Sequence, residues 1–248
     1  MLSRRAWLMW PWIGASAAGC AWLPREAVVP MPVIQRRADP QRRAGMLVVM
    51  LPGAYSLPRE FIDQGFVSRL HAHGFEVDVA IADAHLGYAA NGTLLERLRD
   101  DVLLPALRDG YHRIWLVGIS LGGFASLGLL MRQTESVEGV LTIAPYVGPP
   151  ELLQQVVAAG GAQAYAASAH RGDDLTSELW VWLGRSTPQL RDRIHVYTGS
   201  QDRLITGQRL LESLLDSDHV LEVAGDHDWP AWNALWSLWL ARAPWPRA

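Results

Sequence analysis

From residue 46 onward, short apolar runs of strand length alternate with longer segments of helical period. The runs are 46–51, 75–81, 114–119, 137–143, 194–198 and 220–223; the helical candidates are 59–73, 93–108, 122–133, 207–215 and 230–241. Such alternation is the pattern of βαβ units, and it directs the chain to a parallel sheet with helices packed against it. Runs such as 137–143 carry few polar residues, as strands covered on both faces require. Right-handed crossovers then place helices on both sides. The expectation is a doubly wound, mostly parallel α/β sheet of six to seven strands in one domain, 46–242, with an edge strand near 28–34. A chain of 248 residues, half of them apolar, can bury the core this needs.

One connection breaks the rhythm. About fifty residues separate the run ending at 143 from the run beginning at 194, too many for a bare loop. Within them 152–169 is alanine-rich and helical in pattern, and 175–183 is a second helix candidate. An insertion over about 147–190 is therefore expected as a small helical cap above the carboxyl ends of the strands. Residues 21–45 hold four prolines and five arginines without clear period, which reads as a tether.

The amino end carries a different signal. Arg4 and Arg5 precede a short apolar stretch that ends in small residues, the layout of a secretory leader. Residues 3–8 resemble the twin-arginine export motif, with Trp7 where that motif prefers phenylalanine. Residues 17–20 resemble a lipobox whose Cys20 would be lipidated, although Ala17 replaces the usual leucine. The expectation is an exported protein, periplasmic or a membrane-anchored lipoprotein of a bacterium. Cys20 is the single cysteine, so no internal disulfide framework and no cysteine-rich metal site is expected. A net charge of −3 gives no electrostatic case for a nucleic-acid partner.

The chemistry gathers on three loops. Gly118-Ile119-Ser120-Leu121-Gly122 stands between a strand-like run and a helix-like one. A serine on so tight a strand-to-helix turn needs glycines where side chains would clash, and the helix that follows aims N–H groups at a developing oxyanion. A serine hydroxyl attacks only when a base takes its proton. Of eight histidines, His227 follows the last strand-like run and so reaches the same rim as Ser120. His112, His195 and His219 precede runs and fall at the opposite end; His85 shares the rim but precedes the serine in the chain. Asp202, again just beyond a run, is the carboxylate expected to orient His227. Leu121 and the loop 51–55, through Ala54 or Tyr55, are the expected backbone donors of an oxyanion hole. Trp180 and Trp182 are candidate pocket-lining residues, and no metal or organic cofactor is expected.

From about 46 to 241 the chain resembles the α/β-hydrolase superfamily, particularly its serine esterases and lipases. The resemblance rests on 52–53 as the oxyanion loop, 118–122 as the nucleophile elbow, 199–202 as the acid loop and 225–229 as the histidine loop. The frequent His-Gly pair of the oxyanion loop stands here as Pro52-Gly53. It implies hydrolysis of a small-molecule ester with an apolar acyl or alkyl group through an acyl-enzyme. Thioesterase, amidase or acyltransferase activity would use the same triad. A non-catalytic lipid- or ligand-binding module on this fold would be expected to lack a triad member, and none is missing.

Overall fold

The computed structural model describes residues 24–168 and 174–247. The expected export segment 1–20, with Cys20, lies outside the described residues. Seven strands form one sheet: β1 (Val33–Arg36), β2 (Met46–Leu51), β3 (Val77–Ala82), β4 (Arg113–Ile119), β5 (Gly139–Ile143), β6 (Ile194–Gly199) and β7 (Val220–Val223). Their order is β1-β3-β2-β4-β5-β6-β7. β1 runs antiparallel to β3, and every other pairing is parallel. This is the expected doubly wound sheet.

The helices of the amino half are α1 (Pro58–Asp63), α2 (Phe66–Ala72), α3 (Leu86–Ala90), α4 (Leu94–Leu98), α5 (Leu104–Arg108) and α6 (Leu121–Arg132). The carboxyl half adds α7 (Pro150–Ala158), α8 (Ala162–Ala167), α9 (Leu175–Arg185), α10 (Pro188–Arg191), α11 (Ile205–Glu212) and α12 (Trp229–Leu240). Two expected helices are divided. Segment 59–73 breaks at Gly65, whose φ of 73° leaves the helical region. Segment 93–108 keeps turning but widens into a π-helical stretch at Arg99–Leu103, where Pro105 supplies no N–H to the carbonyl four residues back.

Alternation along β2 sorts the two cores. Leu47, Val49 and Leu51 face one cluster, with Leu127 of α6 and Trp180 of α9. Met46, Val48 and Met50 face the other, with Phe61, Phe66 and Trp236 from α1, α2 and α12. There the Phe66 and Trp236 rings stack at 5.0 Å, and the indole N–H donates to the Phe66 carbonyl at 3.1 Å. Each such side chain removed from water contributes about 1.5–3 kcal/mol.

Three boundaries differ from expectation. Residues 24–45 are not a tether but part of the domain: the Met31 N–H donates to Asp101, and the Ala38 and Ala44 N–H groups donate to Asp78. The edge strand starts at Val33 because Pro30 and Pro32 have no N–H to give a ladder. The domain also runs past 242, since Trp245 is buried and the Glu76 N–H donates to the Pro246 carbonyl at 2.9 Å. The insertion is helical, but α9 packs on α6 and joins the layer covering one sheet face. Among the described residues of the insertion, Tyr146 and the start of α9 border the cavity that opens on Ser120.

Candidate active site

Ser120 ends β4 and caps α6 with φ 55° and ψ −113°, a backbone region that costs a non-glycine residue about 1–3 kcal/mol. Its neighbours must be glycine for lack of room. A Cβ on Gly118 would lie 2.1 Å from the Gly122 carbonyl oxygen, and one on Gly122 would lie 2.0 Å from that of Leu51. The strained turn is pinned by the Ser120 N–H, which donates to the Ile143 carbonyl of β5 at 3.0 Å.

The loops after β6 and β7 bring the other two groups to the same rim. Ser200 and Gln201 N–H groups donate to the Val223 and Gly225 carbonyls at 2.8 and 2.9 Å, tying the acid loop to the histidine loop. His227 Nε2 stands 3.0 Å from Ser120 Oγ, and its Nδ1 stands 2.7 Å from Asp202 Oδ2. The neighbouring aspartates serve the backbone instead: Asp226 accepts from the His227 N–H and Asp228 caps α12 through Ala231. Trp232 meets the His227 ring edge-on at 5.2 Å, which limits its rotation.

Asp202 is 1 % exposed. Burial by itself pushes its carboxyl up. The hydrogen bond from His227, the Leu204 N–H at 2.7 Å, the charge of His227 and Gln208 together outweigh burial and hold the carboxyl below its ordinary value. Asp202 is thus ionised at neutral pH and able to balance a positive imidazole.

The loop after β2 runs beside the nucleophile, since a Cβ on Gly53 would lie 3.7 Å from Ser120 Cβ. Its turn closes through the Ser56 N–H to the Gly53 carbonyl at 3.1 Å, and Leu86 N–H donates to the Ala54 carbonyl at 3.0 Å. Arg25 supports it from outside. One guanidinium nitrogen donates to Asp83 at 2.9 Å and the other to the Ser56 carbonyl at 3.1 Å. Leu121 is the first residue of α6, so its N–H has no partner within the helix. Ala54, Tyr55, Leu121 and Ser120 all border one cavity of about 850 Å³.

That cavity is walled chiefly by Leu86, Leu94, Phe124, Tyr146 and Leu175. Trp180 and Trp182 are not in its wall, contrary to expectation. Trp180 is wholly buried in the helical layer, with its indole N–H donating to the Val147 carbonyl at 2.8 Å, and Trp182 packs half-buried against the same core. Two residues apart on a helix lie on nearly opposite faces, so the pair could not have lined one pocket. The support given by Arg25 was not anticipated, because the segment that carries it looked like a tether. His85 is buried and is not in the cavity wall; its Nδ1 accepts from the Gly87 N–H, and burial and the Arg25 charge push it below its ordinary value against the opposing pull of Asp83.

Among solved structures the chain is similar to Est1E from Butyrivibrio proteoclasticus (TM-score 0.57, 12 % identity, covering 85 % of this chain and 93 % of that one). It is also similar to a ferulic acid esterase (TM-score 0.56, 13 % identity, 85 % and 96 % covered). A third is the S-formylglutathione hydrolase FrmB from Staphylococcus aureus (TM-score 0.55, 13 % identity, 89 % and 98 % covered). At these identities the likeness is one of fold. No curated protein matches the chain. A family model described as "Putative esterase" matches residues 100–238, more than half of the chain and the part that holds Ser120, Asp202 and His227. The chain belongs to this esterase family, and is a hydrolase of carboxylic esters on the α/β-hydrolase fold.

Proposed function

We propose that Ser120, His227 and Asp202 are the nucleophile, general base and orienting acid of this hydrolase. The observation that carries this is the unbroken chain from Ser120 Oγ through both ring nitrogens of His227 to a buried, ionised Asp202. His227 takes the proton as Ser120 Oγ attacks the ester carbonyl, and Asp202 stabilises the imidazolium that results. The N–H groups of Leu121 and of Ala54 or Tyr55 receive the negative charge on the carbonyl oxygen; donors of this kind contribute about 3–4 kcal/mol each. His227 then protonates the leaving alcohol. Water repeats the cycle on the acyl-enzyme and frees the acid. The apolar cavity wall supports an ester with an apolar acyl or alkyl group. The test is labelling by a fluorophosphonate beside turnover of p-nitrophenyl esters. Both are expected to vanish in Ser120→Ala, and labelling or turnover surviving that substitution would reject the assignment.

We further propose that residues 1–20 direct export and that Cys20 becomes a lipidated amino terminus, which would hold the domain at a membrane surface. The support is the order Arg4-Arg5, apolar stretch, Ala17-Ala18-Gly19-Cys20. Mass spectrometry of the mature protein is expected to begin at an acylated Cys20; an intact Met1 would reject it.

A further inference from the structure

We infer that the acyl group of the substrate is an elongated apolar chain, and that it lies in a trough running along α6 away from Ser120. This rests on Ser120 being the nucleophile. The cavity that opens on Ser120 extends to Arg132 at the far end of the same helix. Leu121, Phe124 and Arg132 border it from one face of α6, at helical spacing. From Leu121 to Arg132 that helix rises about 16 Å. Between them Gly128 offers no side chain, and a Cβ there would lie 3.0 Å from Leu95 Cδ1, so Leu95 of α4 covers the helix and lines the cavity over that stretch.

Leu86, Ala89 and Leu94 form one wall, and Leu175 and Thr176 form the other. Three of the four charged residues that border the trough, Arg132, Asp174 and Glu178, have partners of their own. Asp174 accepts from the Thr176 and Ser177 N–H groups at 2.9 and 3.1 Å, and Arg132 meets Glu178 at 2.6 Å. Leu86, Leu94, Leu95, Phe124 and Leu175 along the trough favour methylene groups. Arg203 belongs instead to the ridge with Tyr146 and Leu204 that divides the trough from a groove of about 580 Å³ between α7 and α11. That groove does not touch Ser120. Acyl and alcohol groups both flank the carbon that Ser120 attacks, but the alcohol must leave beside His227, which does not border this cavity, so the trough takes the acyl chain.

The experiment compares p-nitrophenyl esters from acetyl to tetradecanoyl, with the wild type and with Ala90→Trp and Leu175→Trp, one variant on each wall. The wild type is expected to gain at least tenfold in kcat/KM between acetyl and dodecanoyl. Each variant is expected to lower the dodecanoyl-to-acetyl ratio at least tenfold while Ser120 is still labelled by a small fluorophosphonate. A rate that peaks at acetyl or butanoyl overturns the inference. So does a preference that follows alcohol length in a series of alkyl acetates instead of acyl length. Absence of labelling in the wild type would mark failure of the nucleophile assignment itself, distinct from a labelled enzyme with the wrong chain-length profile.

Discussion

Two histidines stand at opposite ends of the same sheet and show what each end is for. His227, beyond the carboxyl end of β7, has a polar partner on each ring nitrogen. His195, near the amino end of β6, is stacked on His219 at 4.4 Å with Trp239 edge-on at 4.7 Å, and its Nδ1 is buried without a hydrogen bond. Parallel strands deliver their carboxyl ends to loops and helix amino termini, where polar groups converge. At the amino end, by contrast, Trp115 and Trp239 pack against the His195 ring. Partners, not residue type, separate the proposed base from a packed histidine.

The largest effects should come from the carboxyl end. Ser120→Ala and His227→Ala are each expected to lower kcat for ester hydrolysis about 10⁴-fold or more with little change in melting temperature. Asp202→Asn keeps the shape but offers an amide that can stabilise the wrong imidazole tautomer, and is expected to cost about 10³–10⁴-fold. His195→Phe should leave kcat nearly unchanged. A loss from His195→Phe comparable to that from His227→Ala would break the comparison.

The amino end should declare itself in stability instead. Burial first, and then the neighbouring His219, lower the His195 pKa from its ordinary 6.5 to about 4. The folded protein keeps this ring neutral where the unfolded chain would bind a proton. Its contribution is therefore fully present above pH 6.5 and is lost as pH falls towards about 4. Over that window the loss reaches about 3 kcal/mol. Asp192, Asp218 and Arg242 share the surrounding cavity wall, and His219 Nδ1 lies 3.1 Å from the Ile194 carbonyl. Denaturant unfolding at pH 7, 5.5 and 4.5 should show a decline in the wild type that is flatter in His195→Phe. An identical slope in both would remove His195 from the account.

Much of the carboxyl end was legible because its signals are local. A serine between two glycines, at a strand-to-helix junction, is a pattern within five residues, and the steric contacts of Gly118 and Gly122 are why that pattern is needed. Asp202 and His227 follow from strand ends and chain order. The cavity wall was not legible in the same way. Trp180 signals only a large apolar side chain, and its face is set by how α9 settles on α6. The strap 24–32 has the sequence of a tether because prolines and arginines carry no periodicity, whereas its fastening depends on residues 58 to 70 positions away.

Arg25 gives the finest test, because it joins that strap to the rim. Its guanidinium spans Asp83 and the Ser56 carbonyl, and so holds the turn that carries Ala54 and Tyr55 beside Ser120. The side chain is 37 % exposed, so its ion pair by itself adds little stability, about 1 kcal/mol at most. Its effect should instead fall on the position of an N–H group in the transition state. Arg25→Ala is expected to lower kcat about three- to tenfold, to leave KM within about twofold, and to move the melting temperature only slightly. Lysine can reach one acceptor but cannot bridge two, so Arg25→Lys should recover only part of the rate. A full recovery by lysine would reduce Arg25 to a simple charge. Loss of kcat only in step with loss of folded protein would reduce it to a fastening of the strap, with the rim independent of it.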